Sequence, residues 1–471
     1  MENYEQTWIA EVLEAIKKMR TDKTVEDFIA VMENAQSLNG LEYVWSTLNK
    51  MTDLAGTVQD HELQNTIQDI IPLLKQIAHA YQEIGNAVSV LDEVNEKIKL
   101  RQSMVQSFLP DSIVQIAADT TANVGDYILV KSTKKLIGTV NQNINWCTVD
   151  VREPVDEQFI KMCNRTRALV IGGGGLFLRD TNENHISGWQ WECPKELLEQ
   201  IQVPIYVFGV GYNRFRGQEE FDSCFMENIN VLVEKSKFFG LRNHGSIRAV
   251  QMYLRDDLKE KVVYQPCATT VLSKLYELPK HRKDKPFIAL NCAFDRADMR
   301  YGNRQNEIMK AIARVVKKLS ETYLIRCYLH CDTDEMVCEY LQKENVPYEQ
   351  VQLNRAMTEE EYLEYFSSPD LVLAMRGHAQ MIPFGCLTPT VSIISHDKLK
   401  WFLEDIGHEE WGVDVQEERF EEKLFACCGK MLAHPDEIRK QIEQAQEKLW
   451  KVTCDNLEKF NMLNNNGTKA R

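Results

Sequence analysis

In the stretch 373–385, LAMRGHAQMIPFG, Arg376 and His378 stand on a glycine-hinged turn after an apolar run, and Lys398 follows the next short run, Val391 to Ile394, in SHDKLKWF. A guanidinium grips a carboxylate or phosphate with a two-pronged fork, an ammonium adds a point charge, and an imidazole moves a proton near neutral pH. If the two runs pair as parallel strands, their carboxyl ends deliver all three side chains to one crevice, where open α/β sheets bind ligands. Taken singly, each residue reads as an ordinary surface charge. Their grouping at consecutive strand ends predicts an anion site.

Four earlier loops fall at predicted strand ends. Asn123-Val124-Gly125-Asp126 follows Ser112 to Ala117 and precedes a helix, so Asn123 and Asp126 either cap that helix or touch a ligand. Gly172 to Gly175 follows Ala168 to Ile171. These glycines, Gly173, Gly174 and Gly175 among them, let backbone amides approach an anion or sugar, or simply form a tight strand-to-helix turn. The run is not the dinucleotide fingerprint and lacks the Lys-Ser/Thr of a phosphate-binding loop, so neither a nicotinamide cofactor nor a P-loop is expected. Gly209-Val210-Gly211-Tyr212-Asn213 follows Ile205 to Phe208, and Gly240-Leu241-Arg242-Asn243 ends a further strand, making Arg242 another candidate anion grip.

Alternating strands and helices must position these loops. Beyond Leu109-Pro110 the pattern implies parallel sheets with helices on both faces. A second series comprises Phe287 to Asn291, Tyr323 to Leu329, Leu371 to Ala374 and Val391 to Ile394, after a charged linker at 281–286. The expected fold is α/β, two doubly wound Rossmann-like domains facing across a cleft, 109–280 and 281–430, with a C-terminal helix and tail over 431–471. Residues 1–108 read as all-α. Leu63, Ile67, Ile70, Leu74, Ile77, Tyr81, Ile84, Val88, Leu91, Asn95 and Ile98 mark a heptad seam, with Pro72 at a helix start. The seam predicts either a homo-oligomer through a coiled coil, Asn95 setting register, or an intramolecular bundle.

With 44% apolar and 27% charged residues among 471, the chain suits a globular protein with a sizeable core. A net charge of −15 argues against nucleic acid or an anionic membrane as partner, so an anionic ligand needs its own pocket. Thirteen cysteines without a C-x-x-C pair suit a reducing cytoplasm, and Cys163, Cys292 and Cys386 lie in apolar runs. His330, Cys331, Asp332 and Asp334 match no standard metal spacing and read as a solvated loop, so no metal is assigned. No signal peptide is read at the N-terminus, and no apolar run approaches the roughly 20 residues of a transmembrane helix.

Over Ile113 to Val415 the chain resembles the polysaccharide pyruvyltransferase family. The carriers are Asn123-x-Gly125-Asp126, the glycines 172–175, Gly209-x-Gly211, and Leu241-Arg242-Asn243 followed by Ser246. Arg376-Gly377-His378-Ala379 and His396-Asp397-Lys398 complete the series. The chain departs from the pattern at Asn243 for Asp, Gly377 for Leu and His396 for Asp. The resemblance implies transfer of pyruvate from phosphoenolpyruvate, as co-substrate and without a cofactor, to a nucleotide- or lipid-linked saccharide, on a GT-B-like fold. His378 would bind phosphate and move a proton, Arg376, Lys398 and Arg242 would grip the anion, and the sugar would lie against Gly172 to Gly175, Tyr212 and Asn213. Two alternatives stand beside it: a glycosyltransferase of the same architecture using a nucleotide-sugar donor, and a non-catalytic saccharide-binding or scaffold protein.

Overall fold

The computed structural model describes residues 108–119, 123–141, 143–179, 186–279 and 285–460. All lie in one compact unit, 104–471. The helices and heptad seam expected before residue 108 fall outside the described residues, as do 281–284 of the expected linker.

Strands β1 (Ser112–Ala117), β2 (Asn145–Asp150), β3 (Ala168–Phe177), β4 (Ile205–Tyr212), β5 (Ser236–Leu241) and β6 (Val262–Tyr264) form one sheet. Strands β7 (Phe287–Asn291), β8 (Leu324–Leu329), β9 (Glu349–Gln352), β10 (Leu371–Ala374), β11 (Thr390–Ile394) and β12 (Gly412–Asp414) form the other. The orders are β2-β1-β3-β4-β5-β6 and β12-β11-β10-β7-β8-β9, and every pairing is parallel. The second is the Rossmann order and the first begins in the flavodoxin manner, so each sheet reverses direction once, at β1/β3 and at β7/β10. The architecture is two doubly wound lobes of the GT-B type. Helices cover both sheet faces, which is why β1, β7, β10 and β11 are buried along their whole lengths.

Two strands run further than their composition predicts. Ala168 to Ile171 and Ile205 to Phe208 continue through the glycine-rich segments to Phe177 and Tyr212. Gly172 to Gly175 is therefore not a strand-to-helix turn. Gly173 and Gly174 take φ of +82° and +90°, which only glycine adopts cheaply, and the register with β4 shifts between Gly174 and Phe177. The glycines make a bulge inside β3, and bulges re-aim a strand beside a site.

The lobes are held together from both sides. The Arg216 guanidinium, in the first lobe, lies 2.7 Å from Asp397 and 2.7 Å from Asp414, in the second. Helix Pro435–Leu457 leaves the second lobe, and its end packs on the first: Asn456 donates to the Tyr264 carbonyl (2.8 Å), and fully buried Phe460 meets Phe208 and Phe238 edge-on and Tyr206 at a tilt. The C-terminal helix and tail are thus anchored on the first lobe as far as Phe460. No helix among the described residues is long and apolar enough to cross a membrane.

Candidate active site

Both reversals of strand order open onto one cleft of about 180 Å³ between the lobes. Ala118, Asn123, Gly174 and Gly175 line it from the first lobe, and Asp295, Arg296, Arg376 and His378 from the second. Pairing of β10 with β11 puts the ends carrying Arg376 and Lys398 side by side.

The Asn-x-Gly-Asp segment acts through three separate contacts. Asn123 caps helix Val124–Gly138, its Oδ1 accepting the Gly125 amide at 3.1 Å. A side chain at 125 would strike the second lobe's His378, its Cβ falling 2.3 Å from the His378 Cβ, so glycine is what admits the imidazole. Asp126, in the first helical turn, then stands 3.3 Å from His378 Nδ1. Burial works against a charge on His378, but Asp126 and next the Cys267 thiol outweigh it and hold the imidazole pKa up at about 9. His378 is thus an imidazolium at neutral pH, and its Nε2 has no hydrogen-bond partner.

Arg242 follows β5 and is 5% exposed. Its Nε and Nη2 are buried without hydrogen-bond partners, an expensive state for a cation, and burial pushes its pKa down. Gly211 makes room for it: a Cβ there would lie 2.1 Å from Arg242 Nε. Lys398 donates to Asn213 Oδ1 at 2.9 Å, and among the described residues no carboxylate lies within ion-pair reach of it. Burial, then the charges of Arg242 and Arg300, press its pKa well below the ordinary lysine value. Arg242 and Lys398 thus face the cleft without a carboxylate in ion-pair contact among the described residues.

Arg376 differs from the sequence expectation. Its guanidinium is occupied: Nε lies 3.1 and 3.0 Å from the Asp334 carboxylate oxygens, Nη2 contacts Asp334 as well, and Nη1 is 2.7 Å from Asp295. The segment carrying Asp334, expected as a solvated loop, turns inward, leaving His330 and Asp334 fully buried because Asp334 must meet the guanidinium. Asp334 also accepts from Asn291 Nδ2 (3.0 Å) and the His330 amide (3.1 Å). Arg376 is a fixed wall of the cleft with its charge largely matched.

The cleft gathers Asn123, Asp126, Gly174, Gly175, Asn213, Arg242, Arg376, His378 and Lys398. Gly173 and Tyr212 are not among its lining residues. Gly173 faces Leu129 on the helix side, and the alternation of β4 turns the Tyr212 ring into the core beside Phe221 and Tyr253. Sequence reasoning missed Arg152, Phe215, Asp295, Arg296 and Arg300, all on the cleft wall. Arg296 holds a left-handed backbone (φ 52°), and Arg300 pairs with Asp295 at 2.9 Å. The departures at 243 and 396 keep one function each. Asn243 Oδ1 caps helix His244–Gln251 at the Ser246 amide (2.7 Å), and the neutral His396 ring caps helix Asp397–Ile406, Nδ1 accepting the Lys398 amide at 3.1 Å. Among the described residues no group of three His, Cys, Asp or Glu side chains is arranged to hold a metal ion.

A two-lobed α/β protein with a cation-lined interlobe cleft is thereby defined. The chain belongs to the polysaccharide pyruvyl transferase family, whose model matches residues 123–397, from the Asn123 cap to the residue before Lys398. No curated protein matches the sequence. Among solved structures it is similar to MnaA of S. aureus in a co-structure with UDP (12% identity, 71% of this chain and 91% of that one, TM-score 0.44). It is also similar to UDP-GlcNAc 2-epimerase of Neisseria meningitidis bound to UDP-GlcNAc (10%, 74% and 100%, 0.44). A third is HepE of Anabaena with UDP and glucose (12%, 75% and 99%, 0.45).

Proposed function

We propose that the protein transfers the pyruvyl group of phosphoenolpyruvate to two hydroxyls of a saccharide, forming a ketal on a cell-surface polysaccharide or its nucleotide- or lipid-linked precursor. The observation that carries this reading is the Arg242 guanidinium, buried with unpartnered N–H groups, in one cleft with a lysine that has no carboxylate within ion-pair reach among the described residues. A small molecule bearing both a carboxylate and a phosphate supplies what that pair lacks.

In the reaction the methylene carbon of phosphoenolpyruvate gains a proton from the His378 imidazolium, and one sugar oxygen bonds to the adjacent carbon. The second sugar oxygen then displaces phosphate as the carbon–phosphate-oxygen bond breaks. Of the two hydroxyl protons, one balances the proton given to the new methyl group and the other leaves with phosphate. Arg242 and Lys398 hold the two anionic groups throughout. Arg376 acts as an immobile boundary, positioned by Asp334 and Asp295. The acceptor rests on the first-lobe wall, against Asn123, Gly174, Gly175 and Asn213. Phosphoenolpyruvate is a co-substrate and no cofactor is required; the thirteen free thiols suit a reducing cytoplasm.

Incubating the protein with saccharide acceptors and either phosphoenolpyruvate or nucleotide sugars tests the proposal. Phosphate release with a new ketal carbon by NMR supports it. Nucleoside diphosphate release instead would make the protein a glycosyltransferase, and binding of saccharide with neither product would leave it non-catalytic.

A further inference from the structure

Resting on that reading, we infer that Phe215 is a positioning residue of the anion site: its ring, carried by the first lobe, holds Lys398 of the second lobe without neutralising it. The ring is 1% exposed and lies at the centre of a cationic group. Arg296 and Arg300 stand over it with their guanidinium carbons 5.1 and 5.2 Å from the ring centre, and Lys398 Nζ is at 5.9 Å. His396, which caps the helix that starts beside Lys398, meets the ring edge-on at 4.3 Å between centroids.

The loop after β4 is built to hold that ring in the opposite lobe. Asn213 accepts from Lys398, the Phe215 amide donates to Gln218 Oε1 (3.0 Å), and Arg216 pairs with Asp397 and Asp414. Phe215 is therefore flanked by contacts to both sides of Lys398. An aromatic face attracts a cation through its quadrupole and carries no net charge. A carboxylate in the same place would hold the ammonium equally well and cancel it before any ligand arrived. The face and the Asn213 carbonyl bring no counter-charge of their own to Lys398, whereas Arg376 shows the opposite arrangement, in which two carboxylates absorb the charge.

The test is calorimetric titration of the full chain with phosphoenolpyruvate and, separately, inorganic phosphate. Replacing Phe215 by 3,4,5-trifluorophenylalanine keeps the shape and withdraws electron density from the face; the expected result is affinity for both anions about three- to tenfold weaker. Phe215→Leu weakens both by at least as much, and Phe215→Tyr restores wild-type affinity within about twofold, since a phenol face is an equivalent cation acceptor. Unchanged affinity in the fluorinated protein would overturn the inference, because a ring that only fills space is indifferent to fluorination. Should the wild-type chain bind phosphate and not phosphoenolpyruvate, the pyruvyl reading fails while the phosphate series still decides the role of Phe215.

Discussion

Asp126 Oδ1, from the first lobe, stands 3.3 Å from Nδ1 of His378, from the second. The proton-bearing group of the site thus exists in its charged form because two lobes meet. Asn123 sets the helix start, Gly125 clears the path, and Asp126 supplies the counter-charge, so three residues of one short motif serve a single imidazole.

Asp126→Asn removes the contact that keeps His378 protonated. His378 has a folded pKa of about 9 against an ordinary value of 6.5. Being raised, it contributes stability that is fully present below about 6.5 and is lost as pH rises through about 9. Phosphate release should likewise fall on the alkaline side near 9 in the wild type. In Asp126→Asn that limb should move acidward by at least about one pH unit, with thermal stability above the shifted limb less dependent on pH. An unmoved alkaline limb would remove His378 from the role of proton donor.

Gly211→Ala acts on Arg242 from a position outside the cleft lining. The new Cβ would lie 2.1 Å from Arg242 Nε, so the guanidinium must leave its seat. Phosphoenolpyruvate affinity should fall about tenfold or more, comparable to losing part of a buried charge contact. A titration showing wild-type affinity would mean that Arg242 does not need its present position.

The lobes were legible in the sequence because buried parallel strands read as short apolar runs, and Ser112 to Ala117, Phe287 to Asn291 and Leu371 to Ala374 match their observed bounds. Glycine-rich continuations hid the ends of β3 and β4, since composition argues for a turn where neighbouring strands impose a ladder. The cations were found at strand ends, but their state of pairing was not, because Asp334 and Asp295 reach Arg376 only through the fold. Asp334 even stood in a segment expected to be solvated. Phe215 carried no separate signal: an aromatic between two arginines looks the same in sequence whether it faces solvent or a buried ammonium.

Asp334→Asn leaves the Arg376 guanidinium buried without its main counter-charge. Removing one partner of a buried pair costs about 3–5 kcal/mol. Chemical denaturation should show a loss of that order, together with reduced turnover as the Arg376 wall and the neighbouring His378 helix shift. A loss below about 1 kcal/mol would indicate that Arg376 is stabilised by something other than Asp334.

The most direct measurement is calorimetric titration of phosphoenolpyruvate into the wild-type protein and Arg242→Met, with thermal melts of both in the absence of ligand. An unpartnered buried guanidinium opposes folding, so the apo variant should melt at the same temperature or a few degrees higher. Its phosphoenolpyruvate affinity should fall about a hundredfold. Wild-type protein giving no binding heat, or Arg242→Met binding as tightly as wild type, would contradict capture of the anion by Arg242 and Lys398.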